Sequence, residues 1–244
     1  GLHYGTYIKI GNDLNIERKQ DKEANMDFLD KRVGVICNEL KKLKVKQVFP
    51  LTQWEYKEGN FIHPEDALKD EAAWENFDCK TMHWYGKDRH YWFRTTYTIP
   101  EELDGKSVWI RVSSQIDEWD DGRNPQFIVF VNGEVYQGID MNHRECLITR
   151  SGKAGETLTI DLQAYTGIMH EEFALRTQIE EIDAEIEKLY YDLWVPLAAF
   201  SRMEADDKNR KDIEYVLNET INLLDLRTPY SEGFYRSVRE ASAY

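Results

Sequence analysis

Cysteine is scarce in this chain. Its 244 residues include three, Cys37, Cys79 and Cys146, widely separated and without a Cys-x-x-Cys pair. That spacing gives neither a disulfide framework nor a zinc knuckle. Long apolar runs are missing as well, and none approaches the ~18–20 residues of a membrane span. No basic stretch followed by an apolar one opens the chain, so no secretory leader is read there. Together these absences predict a reducing, cytoplasmic setting. Positive charge is in deficit: 31 Lys and Arg face 45 Asp and Glu, a net charge of −14. So acidic a surface is repelled by nucleic acid and by anionic membranes, and neither is expected as a partner.

The self-contained catalytic signatures are absent too. There is no HExxH, GxSxG, GxxxxGK[ST] or GxGxxG. The six histidines, His3, His63, His83, His90, His143 and His170, stand in no metal-ligand spacing. The acidic stretch Asp117–Gly122 invites a calcium-loop reading but fails it. Its third position is Trp119 and its twelfth, which should be a bidentate Glu, is Ile128. A solvated acidic loop is expected there instead.

What the chain does have is aromatic residues, 13% of the total with 7 Trp and 14 Tyr. That content belongs to a folded protein, and the length suits one large domain or a domain with an appendage. Residues 1–25 are polar and read as a solvated arm. From Met26 the apolar residues Phe28, Leu29, Val33, Ile36, Leu40 and Leu43 recur at three and four, which predicts a helix over 26–46. Lysines 41, 42, 44 and 46 suit its negative C-terminal end.

Strands follow. Tyr91–Ile99 is aromatic and β-branched up to Pro100, and Ser107–Val112 alternates. Phe127–Val131 runs into Asn132-Gly133, a hairpin signal, with Val135 and Tyr136 on the return. Leu147–Thr149 and Leu158–Leu162 are two more, and Phe173, Leu175, Thr177 and Ile179 alternate as a further one. Short strands at intervals of about 8–12 residues with tight turns predict an antiparallel β-sandwich or jelly roll, galactose-binding-like, in an α+β chain. Asp183 is the expected N-cap of a first C-terminal helix, with Pro196 a kink inside it. Its stripe is Ile186, Leu189, Tyr190, Leu193, Trp194 and Leu197; a second runs from Ile213 to Leu224; Ser231 caps a third segment with Phe234, Tyr235 and Val238. The expected organisation is the arm at 1–25, a sandwich with its leading helix at 26–182, and a helical segment at 183–244.

Two segments are dense in polar and aromatic side chains: Trp84–Arg94, with Asp88 and His90 in it, and Gly138–Glu145, with Asp140, Asn142, His143 and Arg144. Aromatic faces stack on sugar rings, and Asp, Asn, His and Arg bond hydroxyls, so these seven are candidates to face a sugar. The structural alternative is that Trp92 and Phe93 open a core strand while Asp, Asn and His at strand ends satisfy loop backbone.

The same segments carry a family resemblance. Trp84, Asp88–Arg94, Pro100, Gly105, Val131–Glu134 and Gly138–Glu145 resemble the N-terminal β domain of class II α-mannosidases, glycoside hydrolase family 38, in its cytosolic, vacuolar and bacterial branch. Leu189–Leu193, Leu217–Glu219 and Asn222–Arg227 resemble the helical linker ahead of that family's catalytic domain. The similarity runs in order from about Met26 to Tyr244. It implies that the chain is the N-terminal accessory piece of a zinc-dependent retaining α-mannosidase, with an Asp nucleophile and a second carboxylate as acid/base. The family's first zinc ligands stand in an H-x-D-x-x-W stretch, and no histidine here is followed by Asp two positions on. The resemblance therefore implies no catalytic or metal residue in this chain. It implies zinc or another divalent metal in the absent catalytic domain, that domain and an α-mannoside as partners, and a homo-oligomer when intact. Under it the seven candidates face a sugar or the catalytic barrel, with Asp140, Asn142 and His143 expected on a sandwich loop at the barrel end. A stand-alone carbohydrate-binding module and a protein-interaction domain are the alternatives.

Overall fold

The computed structural model describes residues 28–115, 123–204 and 206–244. The acidic loop and the polar arm read above lie outside them. Among the described residues, helix α1 covers 28–43. There follow β1 (Val45–Pro50), β2 (Gln53–Glu58), α2 (Pro64–Lys69), β3 (Glu75–Asp78), β4 (Trp84–Gly86) and β5 (His90–Thr98). Then come β6 (Val108–Ser113), β7 (Gln126–Val131), β8 (Glu134–Ile139), β9 (Glu145–Thr149), β10 (Thr157–Tyr165), β11 (Glu171–Phe173) and β12 (Arg176–Ile182). Helices α3 (Ala184–Phe200), α4 (Arg210–Asn222) and α5 (Glu232–Ala243) end the chain.

The strands form a four-stranded sheet, β1-β12-β6-β9, a six-stranded sheet, β3-β2-β5-β10-β7-β8, and a short ribbon, β11-β4. Every strand pairing among them is antiparallel. The chain crosses directly between the two larger sheets from β1 to β2, β5 to β6, β6 to β7, β8 to β9 and β9 to β10, as a jelly roll does. Period-two alternation explains the sandwich. In β6, Val108, Ile110 and Val112 are buried and Trp109, Arg111 and Ser113 are not. Phe93, Val129, Ile160, Leu162 and Ile179 join them from both sheets in one core. The expected α+β sandwich is thus present. At the hairpin, Asn132 and Gly133 have φ of 50° and 85°, the double left-handed turn that Asn-Gly supports.

Gly152 is needed for space. A Cβ there would sit 2.6 Å from the Leu103 carbonyl oxygen and 2.9 Å from Val108 Cγ2. The Gly152 amide donates to the Lys106 carbonyl at 2.7 Å, and its own carbonyl accepts from Gly105 at 2.8 Å, so the backbone has little room to give. Gly152→Ala should cost about 1–3 kcal/mol in denaturant unfolding. An unchanged midpoint would mean the turn relaxes freely.

The chain divides into two compact units, and the division corrects the expected boundary. One unit is 45–182, and the other joins α1 to residues 183–244. The leading helix does not belong to the sandwich. Leu29, Val33, Cys37 and Leu40 share a core with Ile186, Leu189, Leu193, Phe234 and Val238. An amphipathic stripe states that a face is buried but not against what. The helix also ends sooner than its lysines imply: Lys44 is a turn residue and Val45 begins β1. Lys44 is buried, with Nζ 3.2 Å from Glu187 Oε2 and 5.7 Å from the Tyr190 ring centre.

Further differences concern the helices and one strand. Trp194 and Val216, placed on apolar stripes, are exposed at 47% and 44%. The alternation from Phe173 to Ile179 is split between β11 and β12 by Ala174-Leu175. Asp183 is the N-cap expected: its Oδ1 accepts from the amides of Glu185 and Ile186, each at 3.0 Å. Its Oδ2 also accepts from the Tyr235 hydroxyl at 2.7 Å, tying α3 to α5. Asp183→Ala should therefore cost about 1–2 kcal/mol, the upper part of the N-cap range. Asp183→Asn, which keeps a cap acceptor, should recover most of it; equal losses for both variants would locate the effect elsewhere.

Candidate functional site

Strand register builds a groove on the outer face of the six-stranded sheet. Along β5, β10 and β7, His90 lies opposite Tyr165 and Tyr165 opposite Gln126. In the next outward row Trp92 faces Gln163, Gln163 faces Ile128, and Ile128 faces Gly138 of β8. Their sequence neighbours Tyr91, Phe93, Leu162, Ala164, Phe127 and Val129 point into the core, which leaves these two rows outside. His90, Tyr165, Gln126, Gln163, Ile128 and Gly138 line a cleft of about 490 Å³, together with Asp140.

Neighbouring contacts hold the lining in place. The Tyr165 hydroxyl donates to Asp88 Oδ1 at 2.6 Å, and the His90 ring stacks on Tyr165 with centres 5.0 Å apart and planes at 28°. Hydrogen bonding to Asp88 raises the Tyr165 pKa, so the phenol stays neutral. Asp88 itself sits at φ 51°, and its amide donates to the Gly167 carbonyl at 2.9 Å. Gln163 Nε2 donates to the Phe61 carbonyl at 2.5 Å. Phe61 belongs to the segment carrying α2, which with Trp74 covers a small outer cluster of Ala67, Trp92 and Phe130. Lys57, buried beneath it, reaches Asp70 Oδ2 at 3.1 Å and lies 5.1 Å from the Trp74 ring centre.

The β8–β9 loop is organised by Asp140. Its Oδ1 accepts from the backbone amides of Asn142 and His143, both at 2.8 Å, and lies 3.1 Å from His143 Nδ1. Burial pushes the Asp140 carboxyl up, but those donors outweigh it and hold it below the ordinary carboxylate value. The Arg144 carbonyl accepts from Val112 at 2.8 Å. Asn142 and His143 are exposed, while Asp140 and Arg144 are half-buried. The loop is therefore a self-capped turn.

The seven sequence candidates separate accordingly. His90 and Asp140 line one cleft, and Asp88 reaches it through Tyr165. Asn142, His143 and Arg144 belong to the Asp140 loop and do not line that cleft. Trp84 needs correcting. It is 1% exposed and ringed by Tyr91, Phe93, Phe127 and Phe173 at centre distances of 5.6, 5.5, 5.7 and 4.9 Å, so it presents no face to a ligand. Reading the sequence missed Tyr165, Gln126 and Gln163, while Gly138 stood only as the first residue of the second polar-aromatic segment. For Tyr165 and Gln163 the signal available was the outward alternation of β10, beside the inward residues used to find that strand; Gln126, the first residue of β7, carries no such signal.

Among the described residues, no group of three or more His, Cys, Asp or Glu is placed to hold a metal ion. Burial pushes the thiols of Cys37, Cys79 and Cys146 each up to about 11, far from a reactive thiolate. No helix among the described residues is long and apolar enough to cross a membrane.

No family model and no curated protein matches the chain. Solved structures match part of it. A Bacteroides fragilis protein assigned as a beta-galactosidase is 20% identical, with a TM-score of 0.36, over 55% of this chain and 23% of that one. A beta-glucuronidase from Ruminococcus gnavus is 11% identical, with a TM-score of 0.36, over 55% and 29%. The beta-D-glucuronidase of Dictyoglomus thermophilum is 9% identical, with a TM-score of 0.36, over 56% and 28%. This chain thus spans 23–29% of the length of those proteins. The fold assignment rests on the strand pairing described above.

Proposed function

We propose that this chain is a non-catalytic accessory domain of a larger glycoside hydrolase, a retaining α-mannosidase of the family its sequence resembles. One observation supports the reading: the segments that bear the resemblance fall on strands, turns and helices of both units, in chain order. Tyr91–Arg94 lies in the first half of β5, Asn132-Gly133 is the β7–β8 turn, and Gly138–Glu145 spans the Asp140-capped loop from the end of β8 to the start of β9. Leu189–Leu193 lies on α3, and Asn222–Arg227 is the exit from α4.

The described residues do not fit the zinc that the family uses, so no step through a metal is assigned to this chain. Asp161 has the raised pKa expected of a general acid, about 6, yet it is 1% exposed and paired with Arg94. It is a structural group beneath the sheet's outer layer. On this reading the partners are the enzyme's own catalytic domain and its α-mannoside, with the intact enzyme a homo-oligomer in the cytoplasm.

The test compares this chain with the longest protein its reading frame encodes, each assayed with zinc or cobalt on aryl α-mannoside, β-galactoside and β-glucuronide. Turnover of the α-mannoside by the long protein alone is expected. Turnover by this chain overturns the accessory role, and β-glycoside turnover by the long protein overturns the mannosidase assignment.

A further inference from the structure

We propose that the groove across β5, β10, β7 and β8 is a glycan-binding subsite that seats a neutral pyranoside ring against Tyr165, with Gln126 and Gln163 bonding its hydroxyls. The inference deepens the accessory-domain reading and rests on it only for the choice of mannosides as first probes.

Size and chemistry both point this way. A cleft of about 490 Å³ is within the usual range for small-ligand sites and larger than a water-filled dent. Its polar lining is two amides, a phenol, an imidazole and, from the β8–β9 loop, the Asp140 carboxylate. An amide offers donors and an acceptor side by side, which is what a row of hydroxyls needs, since each hydroxyl both donates and accepts. Tyr165 and His90 supply the aromatic surface on which the C–H face of a sugar ring can lie.

The lining is also held ready. Asp88 fixes the Tyr165 hydroxyl, and the Phe61 carbonyl fixes one end of Gln163, so little rotamer freedom is lost on binding. Asp88 keeps a left-handed backbone at φ 51°, a strained conformation for a residue with a Cβ. The Asp140 carboxylate in the lining and the Asp88 carboxylate on the Tyr165 hydroxyl, on a chain of net charge −14, disfavour uronates and phosphates.

Gly138 adds an independent observation. Its backbone is not left-handed, so the strand does not require glycine, and a Cβ there would meet nothing closer than the Phe127 carbonyl oxygen at 4.0 Å. The missing side chain therefore serves as open space beside Ile128 in the groove floor. A valine at this edge-strand position fits the sheet and narrows the cleft.

The experiment titrates the whole chain with methyl α-D-mannopyranoside, α-mannobiose, maltose and glucuronic acid, following the side-chain amide resonances of Gln126 and Gln163. Saturable shifts in those amides are expected with a neutral sugar at a Kd on the order of 1 mM or below. Gly138→Val and Gln126→Ala should each weaken binding about tenfold or more while the melting temperature stays that of the parent. The subsite is overturned if no neutral sugar saturates by about 10 mM. It is equally overturned if glucuronic acid binds best, or if binding persists unchanged in both variants. Saturation by maltose in place of mannosides supports the groove while counting against the mannosidase assignment, so the two can fail separately.

Discussion

Trp84→Ala should destabilise the sandwich by about 3–5 kcal/mol, the range for emptying a large aromatic site in a packed core. Four aromatic rings contact the indole, and no backbone shift brings all of them in to fill the void. The guanidinium midpoint should fall steeply with little change in slope. Trp84→Phe should lose much less. It keeps a ring in the cluster and removes an indole N–H that is buried without a hydrogen-bond partner. Asn142→Ala, on the exposed part of the Asp140 loop, should stay within about 0.5 kcal/mol. The two segments read as equivalent sugar-facing candidates would thus separate by their stability cost. Should Trp84→Ala leave the midpoint untouched, the core placement of Trp84 is wrong.

That separation shows what the sequence makes legible. β5, β6 and the β7–β8 hairpin are readable because β-branched and aromatic residues alternate there between strong turn signals. The stretch 45–86 is not. β2 and β3, with sequences QWEYKE and ENFD, each hold one or two large residues among charges, so local propensity gives no strand signal. Trp54, Phe77 and Trp84 reach the core only because β2 pairs with β5, β3 with β2 and β4 with β11. The same limit hid the groove. Its row of His90, Tyr165 and Gln126 is assembled by register between strands distant in the chain, and no linear motif spans it. Dense polar-aromatic sequence marks Asp88 and His90, but what joins them at the groove is Tyr165, which stacks on His90 and donates to Asp88. The helix caps at Asp183 and Ser231, by contrast, are local chemistry and were readable.

Stability should also depend on pH through Asp161, and Arg94 should control how much. Burial pushes the Asp161 carboxyl up from 3.8 to about 6, against the pull of Arg94, whose Nη1 lies 3.2 Å from Oδ1. Oδ2 is buried and has no hydrogen-bond partner. Below about pH 4 the group is protonated in both the folded and the unfolded chain. Between 3.8 and about 6 the folded chain keeps a proton that the unfolded chain releases, so this group's contribution to stability falls as pH rises. Above about 6 both states are ionised and the loss, on the order of 2–3 kcal/mol, is complete. Asp161→Asn removes the charge at nearly constant volume. Its stability relative to the parent should therefore climb from pH 4 to 6 and then level off. Arg94→Ala acts in the opposite sense. It leaves a buried carboxylate without its cation, a change worth about 3–5 kcal/mol when the charge cannot be shed. Here the charge can be shed by protonation, so the variant should lose most at pH 8 and far less at pH 5. Adding Asp161→Asn to Arg94→Ala should restore most of the loss at pH 8, because the cost lies in the uncompensated charge more than in the missing contact. A double variant as unstable as Arg94→Ala alone would place the cost in the packing of the Arg94 stem over the sheet.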